Sequence, residues 1–284
     1  MAAPWHAHWP RGYPHALAVP QTTLFDHLAT SAARYPDRAA IVYYDSVLRY
    51  ADFLAQALAG HLQQAGVGAG DRVLLMSQNC PQFPVAFFAI QRCGAVVVPV
   101  NAMCTAGEVD HYLADSGARH AVAAQELLPS VRPALARGDL AEVVVICYAD
   151  ALTTPTELAV PDVVRAPRQP LDAPGLVAWA DALAQAPVPR PVTSGPDDLA
   201  ALPYTSGTTG RPKGCRHTHQ SLIASTAGAC LWRGLHAESV VLGVAPLFHL
   251  LGLQNAMLMP VWQGATVVML ARWDAGAAAA LIER

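Results

Sequence analysis

Tyr204-Thr205-Ser206-Gly207-Thr208-Thr209-Gly210-Arg211-Pro212-Lys213-Gly214 is the stretch on which the reading of this chain turns. Thr205, Ser206, Thr208 and Thr209 supply hydroxyls, and Gly207 and Gly210 let the backbone come close to a ligand in conformations other residues resist. Successive backbone N–H groups in such a turn make a concave anion site. Lys213 adds a point charge suited to phosphate. The run reads as a phosphate cradle, with the apolar strand Leu199–Tyr204 delivering it and a helix over Thr218–Trp232 following it.

A Walker loop requires G-x-x-x-x-G-K-[ST]. Counted from Gly207, Pro212 stands where the second glycine belongs and Gly214 where the metal-binding hydroxyl belongs. Proline also removes a backbone donor just before the lysine. An ordinary P-loop is therefore excluded. A Ser/Thr/Gly-rich surface turn would show no ordered relation among hydroxyls, glycines and lysine.

The run TSGTTGRPKG, with His217-Thr218-His219 behind it, resembles the phosphate-binding signature of the adenylate-forming (AMP-binding) superfamily of acyl-CoA synthetases, luciferases and peptide-synthetase adenylation domains. The segments SQNCPQFPVAFFAIQRCGAVVVPVNAM (77–103) and HYLADSGAR (111–119) resemble the same family. The opening VPQTTLFDHLATSAARYPDRAAIVYYD (19–45) looks most like its medium- and long-chain acyl-CoA ligases. The resemblance implies an acid–CoA ligase: a carboxylate attacks the α-phosphate of Mg²⁺-ATP, and the thiol of coenzyme A then displaces AMP. It assigns Thr205, Ser206, Gly207, Thr208, Thr209, Gly210 and Lys213 to the ATP phosphates, and Lys213 and His249 to catalysis. His249 lies in the PLFH turn (246–249), which resembles the family's next signature, between acyl pocket and phosphates. No metal ligand is assigned here; Mg²⁺ is expected to be held beyond residue 284. His217 and His219 read as capping and surface packing, and Cys215 replaces a small apolar residue of the pattern.

Composition bounds the alternatives. The chain has 284 residues, 53% hydrophobic and 14% charged, with net charge −3, which gives no basic field for nucleic acid. The six cysteines form no C-x-x-C pair and read as reduced, cytoplasmic thiols. No signal peptide is visible, and peripheral membrane contact by an acyl entrance is conceivable without any basic amphipathic helix to support it. Ser239–Ala271 carries no charge, but Pro246, Pro260 and several glycines interrupt it. That punctuation argues for buried strands and turns rather than a membrane span.

Alternation of strands and helices predicts an α/β fold with mostly parallel sheets flanked by helices. The expected divisions are an N-terminal arm (1–20), a helix/strand segment joining the second sheet (21–70), a first α/β subdomain (71–196) and an incomplete phosphate-loop subdomain (197–284). The first subdomain includes a loose Pro/Ala-rich connection over 150–196 with a helix near Leu176–Ala184. Family members run about twice this length, so the chain reads as an N-terminal fragment unable to complete the reaction. The alternatives are a non-catalytic nucleotide- or acyl-binding remnant, and a half that needs a complementary C-terminal chain.

Overall fold

The computed structural model describes residues 3–53, 56–205 and 211–284. Near the N-terminus, Thr23 caps the helix Leu24–Arg34 in a capping box, its side chain accepting from Asp26 N–H while the Asp26 carboxylate accepts from Thr23 N–H at 2.8 Å. Strands β1 (Ala39–Tyr43) and β2 (Ser46–Arg49) follow as an antiparallel hairpin. Tyr44 and Asp45 form its two-residue turn with φ of 47° and 68°. Positive φ at both central positions matches the right-handed twist of the flanking strands.

Five parallel strands come next: β3 (Arg72–Met76), β4 (Val96–Pro99), β5 (His120–Ala124), β6 (Glu142–Ile146) and β7 (Leu176–Ala178). Strand β8 (Leu199–Ala201) joins parallel to β4. Tyr204–Thr205 (β9) and Lys213–Gly214 (β10) pair antiparallel as a short ribbon, and β11 (His217–Thr218) pairs antiparallel with β8. The large sheet thus runs β11-β8-β4-β3-β5-β6-β7. Strands β12 (Val240–Gly243) and β13 (Thr266–Met269) build a second sheet with the hairpin, in the order β12-β13-β1-β2. The fold is the mixed α/β arrangement of mostly parallel sheets that the alternation predicts.

Burial explains the composition of these strands. β3 to β6 are buried along nearly their whole length, because helices cover both faces of a parallel sheet. The helix Gln82–Arg92 is buried almost all round, and Phe88 meets Phe53 edge to face with ring centroids 5.6 Å apart. Ahead of it all, residues 3–20 lie across the helix His219–Arg233, where Trp9 and Tyr13 pack their rings on Trp232 at 5.8 and 5.6 Å.

Three local expectations are corrected. Leu176–Ala178 is not the start of a helix; it is the edge strand beside β6, and only Trp179–Ala184 is helical. The expected strand Leu199–Tyr204 divides at Leu202-Pro203. Leu202 N–H still reaches Val97 O, but Pro203 has no N–H and the chain turns off into the ribbon. Within Ser239–Ala271 the segment Leu250–Gln263 is helical rather than strand and turn. A π turn over Gln254–Leu258, closed by Met259 N–H onto Gln254 O, widens it. Pro260 falls in the first turn of Met259–Gln263, where a missing donor costs least.

Candidate active site

The loop enters from Thr205 and returns at Arg211. Ser206, Gly207, Thr208, Thr209 and Gly210 lie outside the described residues. Its two stems are Tyr204–Thr205 and Lys213–Gly214, with Thr205 opposite Lys213 in the ladder. Directly opposed residues send their side chains to one face, so hydroxyl and ammonium leave the ribbon on the same side. Both residues are exposed.

The helix Ala106–Ser116 holds the stems. His111 Nε2 lies 2.9 Å from Pro212 O; a carbonyl can only accept, so this nitrogen carries the proton. Tyr204 OH donates to the Asp115 carboxylate at 2.6 Å, and its ring lies 4.6 Å from that of Tyr112. Burial and the neighbouring Asp115 carboxylate both push the Tyr204 phenol up, so it stays a donor. The Tyr204 ring also sits under Gly214, where a Cβ would come within 3.2 Å of it. Residue reading missed His111 and Asp115 individually, although both lie in the segment HYLADSGAR. Their contact with the loop is set by tertiary packing.

A cleft of about 490 Å³ opens beside the stems. Thr205, Cys215 and His217 line it from the loop side, and Pro246, Phe248 and His249 from the PLFH turn. The two motifs, far apart in sequence, therefore meet in one cavity. Lys213 is not among the lining residues, and among the described residues its side chain has no hydrogen bond or ion pair. His249 is exposed, with its ring 4.6 Å from Phe248. Partial burial lowers the pKa of His217, which favours a neutral ring at the cleft wall. His219 departs from surface packing. It is 2% exposed, its Nδ1 accepts from Leu24 N–H at 3.1 Å, and the cap of its helix is Thr218.

A larger cavity of about 620 Å³ lies between Leu48, Leu58 and Trp179 and includes the Asp150–Arg168 ion pair. It holds no residue of the TSGTTGRPKG run or the PLFH turn, and these two meet in the smaller cleft. No carboxylate lines that cleft, and no group of three His, Cys, Asp or Glu side chains that could hold a metal occurs among the described residues. The residues described do not by themselves fit Mg²⁺, which ordinarily needs one or two carboxylates beside substrate phosphates.

The model of the family described as "AMP-binding enzyme" matches residues 28–284. A long-chain-fatty-acid–CoA ligase of Bacillus subtilis is 31% identical over 281 residues, covering 95% of this chain and 50% of that protein. A 4-coumarate–CoA ligase of rice (Oryza sativa subsp. japonica) is 34% identical over 271 residues, covering 92% and 46%. Among solved structures, the inhibitor-bound N-terminal domain of FACL13 from Mycobacterium tuberculosis superposes with a TM-score of 0.72 at 27% identity, over 92% of this chain and 60% of that one. A benzoate CoA ligase from Burkholderia xenovorans does so with a TM-score of 0.74 at 26% identity, over 92% and 48%. The chain spans about half the length of the curated relatives it matches. It belongs to the AMP-binding enzyme family.

Proposed function

We propose that the chain carries the nucleotide- and acid-binding half-site of an ATP-dependent acid–CoA ligase, with a medium- or long-chain fatty acid as the acid. The single observation that carries this reading is the cleft in which Thr205, at the mouth of the phosphate loop, and His249, in the PLFH turn, face one cavity. In the proposed reaction a carboxylate oxygen bonds to the α-phosphorus of ATP as the bond to pyrophosphate breaks. The thiol of coenzyme A then bonds to the acyl carbon and AMP leaves. Both steps bring anions together, so alignment and charge neutralisation are what the protein supplies. Thr205, Ser206, Thr208 and Thr209 would donate to the β- and γ-phosphate oxygens. Lys213, sharing a ribbon face with Thr205, would offset their charge, and His249 would orient the acid. Mg²⁺ offsets phosphate charge when bound, and no role is assigned to any residue here in holding it.

The apolar part of the cleft, with Pro246, Phe248 and Leu251, suits the first carbons of a hydrocarbon or aryl acid. The relatives' names include both acid types. No helix among the described residues is long and apolar enough to cross a membrane. The cysteines are all free, which fits the cytoplasm as the compartment proposed.

The test is acyl-AMP formation with Mg²⁺-ATP and a panel of fatty and aryl acids, read by mass spectrometry. Acid-dependent product that falls at least about a hundredfold in Ser206→Ala and Lys213→Ala would support the reading. Binding of ATP without product would instead identify a binding module, or a half that awaits a complementary chain. Product unaffected by either substitution would overturn the site assignment.

A further inference from the structure

Asn79 lies outside both motifs, yet it holds one of them. It sits three residues beyond β3, in the turn that opens the helix Gln82–Arg92, and is 3% exposed. Its Nδ2 donates to Ala245 O at 3.1 Å, and its Oδ1 accepts from Leu247 N–H at 2.8 Å. A carboxamide offers a donor and an acceptor side by side, so it pairs with the backbone of the Ala245–His249 turn much as a neighbouring strand would. The two bonds join the large sheet, through β3, to the turn that follows β12 of the second sheet.

The helix that follows closes on that turn as well. A Cβ on Gly252 would lie 2.1 Å from Pro246 O and 2.7 Å from Ala245 O, so the helix backbone packs directly on the turn. Pro246 fixes its own φ. Within the turn His249 N–H reaches Pro246 O at 3.1 Å, and Leu253 N–H reaches His249 O at 2.9 Å. The His249 imidazole, by contrast, makes no hydrogen bond among the described residues, and the Phe248 ring lies 4.6 Å from it. What places the base of the imidazole is the backbone beneath it, and two bonds from Asn79 hold that backbone at Ala245 and Leu247.

We propose that Asn79 is a positioning residue for the cleft: its paired bonds to Ala245 and Leu247 fix the PLFH turn and so aim His249 at the Thr205 end of the phosphate loop. Its catalytic meaning rests on the ligase reading above; its structural claim does not. Asn79→Ala removes both bonds. Asn79→Asp keeps the acceptor for Leu247 but sets a buried carboxylate oxygen against Ala245 O, so it should act in the same direction and at least as strongly.

The first readout needs no turnover. The His249 imidazole signal, assigned in the NMR spectrum by its loss in His249→Ala, should shift and broaden in both Asn79→Ala and Asn79→Asp. His61 and His120, bonded to Glu142 and Ala65 O elsewhere in the molecule, should keep their signals. An unmoved His249, or equal movement of all three, overturns the proposal. The second readout is acyl-AMP formation. Asn79→Ala should lower kcat by about ten- to a hundredfold, with the KM for ATP changed by less than about threefold. The same substitution should change nothing further in a His249→Ala background. Equal losses in both backgrounds would mark Asn79 as generally structural and sink the inference. If the unaltered chain yields no acyl-AMP, the ligase reading fails for this chain, while the His249 signal still decides the role of Asn79.

Discussion

A histidine whose Nδ1 accepts a backbone N–H inside a protein must be neutral, and His219 is in that position against Leu24. Burial lowers its pKa to about 4, opposed by the weaker attraction of Asp198 and Asp26. The sign of the consequence follows. Between pH 6.5 and 4 the unfolded chain binds a proton at this residue and the folded chain does not, so stability falls as the medium is acidified. The full contribution is present above pH 6.5, and the loss across the window is at most about 3 kcal/mol for such a shift. Asparagine at this position can keep the acceptor without the titration. In urea unfolding at pH 7 and pH 4.5, His219→Asn should therefore narrow the gap between the two midpoints relative to the unaltered chain. Parallel shifts in both proteins would contradict this account. The spacing His217-Thr218-His219 shows a helix start and a cap, and Thr218 is that cap. It cannot show burial, because the partner of His219 is the start of a helix near the other end of the chain.

Among the elements, the helix Ala106–Ser116 acts as a splint on the ribbon of Tyr204–Thr205 and Lys213–Gly214. Its start is legible in sequence: Thr105 and Glu108 close a capping box, and hydrogen bonds from Thr105 lower the pKa of the Glu108 carboxyl. Its function is not legible, since His111 and Asp115 look like ordinary polar positions on an amphipathic helix. In the fold they reach Pro212 O and Tyr204 OH, one on each stem of the loop. Untying both stems leaves Thr205 and Lys213 more states to lose when a phosphate binds, and each tether contributes about 1 kcal/mol. A Tyr204→Phe, His111→Ala double variant should therefore bind ATP about thirtyfold more weakly, with each single variant about fivefold weaker. Calorimetric titration measures this directly. Unchanged affinity in the double variant would mean that the splint orders the stems without touching the site. The π turn at Gln254–Leu258 marks the limit of element reading. Pro260 and Gly252 read as breakers, but one falls in a first helical turn and the other is pressed on the PLFH turn.

Across the molecule, the N-terminal segment is stitched into the sheet built by β12 and β13. β1 pairs in parallel with β13 through Ile41–Val267 and Val42–Val268. Arg38 reaches Ala237 O and Gly264 O, and Ser31 reaches Val261 O. The alternation of strands and helices in the sequence reveals the class of this fold, because fully buried strands must be apolar on both faces. Alternation alone does not dictate the expected joining of the first hairpin to the second sheet, since pairing over such a separation leaves no local trace. Tyr50 tests how tightly the two ends are coupled. Its hydroxyl is wholly buried and lies 2.7 Å from Ala265 O and 3.1 Å from Pro260 O. Burial raises its pKa, which keeps the hydroxyl a donor. Pro260 O also accepts Ala265 N–H, so Ala265 O is the acceptor that loses most when the hydroxyl goes. Tyr50→Phe should cost about 1–3 kcal/mol, the range for stranding a buried acceptor. Because the hydroxyl ties the first helix-and-hairpin segment to the approach of β13, the loss should appear in both ends together. Hydrogen exchange should rise at Ala39–Arg49 and at Thr266–Met269 by similar factors, with one urea transition retained. Exchange rising at the hairpin alone, with β13 still protected, would mean that the N-terminal segment docks as a separate unit and that the hydroxyl is a local bond.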